Sequence, residues 1–230
     1  MRLEESPFYL LRRPESSRYW CRDEPNAIYV REEISCGIDP GHRRIGRFFS
    51  EPSLVIPHRP VPDVLFAWGP GCFIQEGALA ILESVKLTGF WTSPAKAIIA
   101  NTGEPVSIRR LGVKGWGGIV SPESGIYRDE YCPDCKFSHW TKLTNPDALI
   151  NPEAWDGSDF FIIWPLPGFF FVTERVVQTF RDKKLTGARF VKSFPVEGMS
   201  IGYSPQRLSQ SMPEERAREI WSGAKDALDF

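Results

Sequence analysis

The strongest constraint on this chain is an internal duplication. Asp63–Phe90 reads DVLFAWGPGCFIQEGALAILESVKLTGF, and Asp159–Ala188 reads DFFIIWPLPGFFFVTERVVQTFRDKKLTGA. Asp63 and Trp68 stand 96 residues before Asp159 and Trp164. Beyond a turn of different length the offset becomes 98: Phe73 matches Phe171, Glu76 matches Glu174, and Lys86-Leu87-Thr88-Gly89 matches Lys184-Leu185-Thr186-Gly187. Chance does not readily place an aspartate, a tryptophan, a Pro-Gly turn and a KLTG end in one order. Two copies are too few for a solenoid and fit pseudo-symmetric halves of one core.

The second copy is the more clearly punctuated. Phe160–Trp164 is aromatic and β-branched, as suits a buried strand. Pro165, Pro167 and Gly168 turn the chain, because a proline cannot continue a ladder. Phe169–Val172 extends again, and Thr173 is placed to cap a helix, with Glu174 beside its positive end. Val176, Val177, Phe180 and Leu185 follow at helical spacing, and Gly187 stands where a left-handed cap is expected. Each copy is thus a strand–turn–strand–helix–strand unit, with helices near Glu76–Lys86 and Glu174–Lys184 and with Trp68 and Trp164 buried in equivalent places. The expected architecture is a single α+β domain. One pseudo-repeat lies within residues 1–100 and the other within 101–200.

The remaining segments read as connections and additions. Phe8–Leu11, Ala27–Val30, Leu54–Ile56 and Val106–Leu111 suit short strands. Cys36–Arg47 is turn-rich, and its Arg43, Arg44 and Arg47 read as a solvated basic loop. Gly115-Trp116-Gly117-Gly118 reads as a loop and lacks the Lys-Ser/Thr of a phosphate-binding P-loop. Asn145–Trp155 is a proline-broken connector with room for one helical turn. Ser211-Met-Pro-Glu214 has capping-box spacing, and an amphipathic helix over about 213–228 puts Ala217, Ile220, Trp221, Ala224 and Leu228 on one face.

Composition narrows the function. Net charge is −1, from 28 basic and 29 acidic residues, so no strong field points to nucleic acid or an anionic membrane as partner. There is no apolar signal-peptide core and no run of 18 apolar residues, which leads to the expectation of a soluble, cytoplasmic protein. Five cysteines in such a chain argue against a disulfide framework.

Cys132-Pro-Asp-Cys135 is the sharpest chemical signal. A two-residue gap lets two thiolates grip one tetrahedral metal from a tight knuckle. A zinc site must then recruit two more ligands, with Cys36 the third and His42 or His139 the fourth. The alternatives are a pair of reduced thiols and a thioredoxin-like redox pair; the latter needs a helix after the motif, whereas Phe137–Trp140 reads as a strand. Gly198-Met-Ser200-Ile-Gly202 has nucleophile-elbow spacing, but His42, His58 and His139 all precede the serine, the wrong order for that fold. No HExxH, kinase set or dinucleotide fingerprint appears, so the sequence gives an enzyme little to work with and names no catalytic residue.

Asp156-Gly-Ser-Asp-Phe160, Trp164-Pro-Leu-Pro-Gly168, Val172-Thr-Glu-Arg-Val176, Leu185-Thr-Gly187 and the surroundings of Cys36-Gly37 and Cys132–Cys135 resemble the double-CXXCG motif proteins of myxobacteria. Some of those proteins are described as immunity proteins paired with secreted toxins. The family pattern has one CxxCG in each half. Here the first keeps only Cys36-Gly37, with Glu33 where the other cysteine would stand, and the second has Lys136 in place of its glycine. The resemblance implies a cytoplasmic immunity protein that neutralises a cognate toxin by direct stoichiometric binding. The other reading is a zinc-stabilised adaptor without catalytic activity that binds protein or nucleic acid.

Overall fold

The computed structural model describes residues 7–15, 21–25, 30–57, 59–67, 71–192 and 207–223. The chain opens with β1 (Phe8–Arg12), the two-residue β2 (Arg22–Asp23) and a hairpin of β3 (Arg31–Ile34) and β4 (Arg44–Phe48). After β5 (Ser53–Ile56), the first copy supplies β6 (Val64–Phe66), β7 (Cys72–Gln75), α1 (Glu76–Ser84) and β8 (Phe90–Pro94). Then come β9 (Lys96–Ile99), β10 (Ile108–Val113), β11 (Gly115–Ile119) and a second hairpin of β12 (Arg128–Tyr131) and β13 (Ser138–Trp140). The second copy supplies β14 (Phe160–Trp164), β15 (Phe170–Thr173), α2 (Glu174–Asp182) and β16 (Arg189–Val191). Helices α3 (Leu208–Ser211) and α4 (Glu214–Gly223) close the described chain, which is a single α+β domain.

The duplication is written into two sheets. One has the order β6-β7-β10-β8 and the other contains β14-β15-β1-β16, with every neighbouring pair in those runs antiparallel. Val64 faces Ile74 as Phe160 faces Val172, so the register is the same in both copies. The third place in each sheet is filled from opposite directions along the chain. In the first sheet it is β10, which follows the copy, and Ile108 pairs with Gln75. In the second it is β1, the first described strand of the chain, and Phe8 pairs with Thr173, the counterpart of Gln75. A strand about 150 residues away in sequence therefore completes the second copy.

The helices match position for position. α1 buries Ala78, Leu79 and Leu82, and α2 buries Val176, Val177 and Phe180 at the equivalent places. Each ends in a Schellman turn. Leu87 N–H donates to Leu82 O and Lys86 N–H to Glu83 O; Leu185 N–H donates to Phe180 O and Lys184 N–H to Arg181 O. The left-handed residue is lysine in both, Lys86 and Lys184 at φ 54°. Gly187, expected as this cap, lies three residues further on, at φ 88°, and serves a different need: a Cβ there would sit 2.0 Å from Val64 O. Gly89 meets the same obstacle at Phe160 O.

Both copies share one core, in which Trp164, Phe160, Phe161 and Phe171 are fully buried. Aromatic side chains of that size each contribute about 1.5–3 kcal/mol on burial. A second cluster, including Leu54, Ile56, Leu65, Phe73 and Ala97, packs the three-stranded sheet β2-β5-β9 on the first copy. No helix among the described residues is long and apolar enough to cross a membrane.

Several local readings change. Gly115–Gly118 is not a loop but most of β11, running parallel to β14. A Cβ at Gly115 would lie 2.1 Å from Phe160 O and one at Gly117 2.5 Å from the Phe161 ring, so these glycines permit close strand approach. Arg44 and Arg47 lie on β4, not in a loop. The connector holds two 3-10 turns, Pro146–Ala148 and Pro152–Ala154. Ser211 ends α3 instead of capping the next helix; α4 buries Ala217 and packs Ile220 and Trp221 on the core. Thr173 is the N-cap residue of α2, but its hydroxyl donates to Asp159 instead of capping. Trp68, His58, Ser200, Ala27, Ala224 and Leu228 lie outside the described residues.

Candidate metal centre

The two hairpins β3–β4 and β12–β13 meet at their turns, and the meeting place is made of sulfur and nitrogen. Cys36, His42, Cys132 and Cys135 bring one ligand atom each to within 4.8 Å of all the others, and could hold a metal ion. Cys36 Sγ lies 3.6 Å from Cys132 Sγ, and Cys135 Sγ lies 3.7 Å from His42 Nδ1. A tetrahedral ion with metal–sulfur bonds of about 2.3 Å and a metal–nitrogen bond of about 2.0 Å separates its ligands by about 3.5–3.8 Å. The donor set and these two separations fit such an ion.

Each ligand is positioned by its own turn. In the second hairpin, Cys132 N–H donates to Phe137 O (2.8 Å) and Lys136 N–H donates to Cys132 O (2.9 Å), folding the Cys-Pro-Asp-Cys segment into a knuckle. Lys136 adopts φ 61°, the left-handed conformation that a glycine at this motif position takes without strain. In the first hairpin, Ile38 and Asp39 direct their N–H groups at Cys36 Sγ from 3.4 and 3.3 Å. Asp39 then caps the 3-10 turn Pro40–His42 by accepting from Gly41 N–H, and this turn delivers the imidazole.

Further contacts set the imidazole and join the knuckles. His42 stacks on Phe137 at a centroid distance of 4.2 Å and an interplanar angle of 7°. Its Nε2 lies 3.4 Å from Asp39 Oδ2, which leaves Nδ1 turned to the sulfurs. A carboxylate on the far nitrogen is the usual support of a metal-binding histidine. Gly37 N–H donates to Asp134 Oδ2 at 2.6 Å, linking the two turns directly. Ile34, Cys132 and Cys135 form a small buried cluster around the sulfurs, with Cys36 and Phe137 packed on it.

The thiols differ electrically. Backbone N–H groups of Cys135 and Asp134 and the neighbouring sulfurs hold the Cys132 thiol below its ordinary value. Burial, followed by the hydrogen bonds of Cys36 and Cys132 and the charge of Cys132, pushes Cys135 up. The two neighbouring thiols are thus pushed in opposite directions, a conflict that a bound cation removes.

Of the two candidates for fourth ligand, His42 joins the cluster and His139 does not. His139 projects from β13 to Asp129, with Nδ1 2.6 Å from Oδ1. Glu33 pairs with Arg43 at 2.8 Å and takes no part. Cys21 and Cys72 are buried in the hydrophobic cores, where burial raises each thiol to about 12. Sequence reasoning missed Asp39, Asp134 and Phe137, although Asp39-Pro40-Gly41 carries a turn signature that foretells where His42 is held. The chain matches no protein-family model, and no curated protein is similar enough to count as a relative.

Proposed function

We propose that this chain is a non-enzymatic, cytoplasmic binding protein, an immunity protein that neutralises a cognate toxin by stoichiometric contact, and that one structural zinc staples its two hairpins. The observation that carries the reading is the donor set of Cys36, His42, Cys132 and Cys135. Four protein ligands complete a tetrahedron and leave no position for substrate, which is the pattern of a structural rather than a catalytic centre. The ion supplies cross-linking: it ties a turn near residue 36 to one near residue 132, where the contacting apolar surface is small.

The toxin as partner rests on the resemblance of the repeat and cysteine motifs to the double-CXXCG proteins. A protective complex must be tight, so it should bury about 1,200–2,000 Å² around a few aromatic or arginine anchors. The test is co-expression of a neighbouring toxin-like reading frame with and without this protein. Protection together with a one-to-one complex on co-purification is the expected result. Equal toxicity with no complex overturns it, and salt-dependent retention on nucleic acid instead would favour the adaptor reading.

A further inference from the structure

The five exposed large apolar side chains among the described residues are Val30, Ile38, Phe49, Tyr127 and Tyr131. All five belong to the two joined hairpins. Phe49 N–H donates to Val30 O and extends the β3–β4 ladder, while Thr141 N–H donates to Tyr127 O and Tyr127 N–H to Thr141 Oγ1, which carries β12–β13 onward. Ile38 is 68% exposed and Tyr131 45%. Apolar surface gathered in one lobe marks a place of contact more than scattered single residues do.

Between the knuckles is a concavity of about 250 Å³. Ile38, Tyr131, Pro133 and Phe137 form its apolar walls, and Asp39 and Glu130 are the only Asp, Glu, Lys or Arg residues lining it. Both are acidic. Asp39 is partly engaged with His42 and Gly41, whereas Glu130 has no ion-pair partner among the described residues. Arg128 and Lys136 lie over the Tyr131 ring, at 4.7 and 5.6 Å from its centroid, yet neither lines the concavity. The inference rests on the zinc reading in one respect: a dication with three thiolates and a neutral imidazole leaves one net negative charge behind the floor.

We propose that this concavity receives an arginine or lysine side chain of a partner protein. The aliphatic stem lies against Ile38, Tyr131 and Pro133, and the cationic head reaches Glu130 and Asp39. Long basic side chains suit such a place because their stems are apolar and their heads are not. Phosphate-bearing partners are disfavoured here, since every charge lining the concavity would repel them.

The test uses the full-length zinc-loaded protein, labelled with ¹⁵N, and the probe N-acetyl-arginine amide, with N-acetyl-norleucine amide as the neutral control. The arginine probe should shift the amides of Ile38, Asp39, Glu130 and Tyr131 saturably at millimolar concentration, and norleucine should bind at least about fivefold more weakly. Glu130→Gln should weaken the arginine response about threefold and Glu130→Lys should abolish it, with zinc content and the remaining spectrum unchanged. Equal responses to both probes, or an undiminished response in Glu130→Lys, overturns the proposal. Zinc is assayed in the same sample, so zinc-loaded protein that ignores arginine ends the docking proposal alone. Arginine binding to protein with no zinc ends the metal reading alone.

Discussion

Asp63 accepts from both the backbone N–H and the hydroxyl of Thr186, each at 2.7 Å and across 123 residues. Asp159 accepts the same pair from Thr88, at 2.9 and 3.1 Å. The exchange is reciprocal: the aspartate that opens each copy holds the KLTG end of the other. Val64 N–H donates to Thr186 O and Phe160 N–H to Thr88 O, repeating the symmetry in the backbone. The two helical units are thereby locked as partners in one fold.

The two aspartates are not equal in consequence. Asp159 has only 8% of its side chain exposed and also accepts from Thr173 Oγ1 and Arg175 Nη1. Asp159→Ala strands several donors and should cost about 3 kcal/mol, against about 1 kcal/mol for Asp63→Ala. Urea unfolding of both variants measures the order; equal losses contradict it.

The motif glycines of the two KLTG ends are sterically required. Gly89→Ala and Gly187→Ala each force a Cβ to 2.0 Å from a carbonyl oxygen of the opposite copy, at positive φ. Each should cost more than about 3 kcal/mol or prevent folding. By contrast, Lys86→Gly and Lys184→Gly relieve a left-handed lysine and should each stabilise by roughly 0.5–1 kcal/mol. Thermal unfolding of the four variants separates the two roles.

The duplicated helices were legible because Glu76 and Glu174, and the apolar positions behind them, keep one helical spacing across 98 residues. The part played by β1 was not. FYLLR and IRRLGV share little beyond Leu11 and Leu111, and strand order depends on pairings remote in sequence. β11 was hidden because its glycines look like turn chemistry until Phe160 and Phe161 are seen packed against them. In the candidate metal centre, the CxxC disclosed Cys132 and Cys135. The choice between His42 and His139 was not legible, since it depends on which face of two separate hairpins each ring leaves from.

Cysteine chemistry should divide the five thiols into two sets. In metal-free native protein, the three cluster thiols should react with iodoacetamide ahead of the core pair, Cys132 before Cys135, because the Cys132 thiol is held low and that of Cys135 is pushed up. Cys21 and Cys72 should react only on unfolding, since burial raises both to about 12. Mass spectrometry of the alkylated peptides gives the order.

The same two buried thiols set an alkaline limit. Their folded values of about 12 exceed the ordinary 9.0, so the unfolded chain loses these protons first. Their contribution to stability is fully present below pH 9 and is lost as pH rises from there to 12. The slope should approach about 1.4 kcal/mol per pH unit for each thiol. Cys72→Ala should flatten the alkaline limb of the stability curve even if it lowers the plateau.

The metal centre is the central structural claim, and its ligands are tested together. Purified without a tag, the protein should contain one zinc per chain, and X-ray absorption should give three sulfurs at about 2.3 Å and one nitrogen at about 2.0 Å. Cys36→Ser, Cys132→Ser and His42→Gln should lower zinc content and melting temperature, while His139→Gln and Cys21→Ser keep the zinc. A metal-free, fully folded protein whose melting is unchanged by Cys132→Ser would contradict the account.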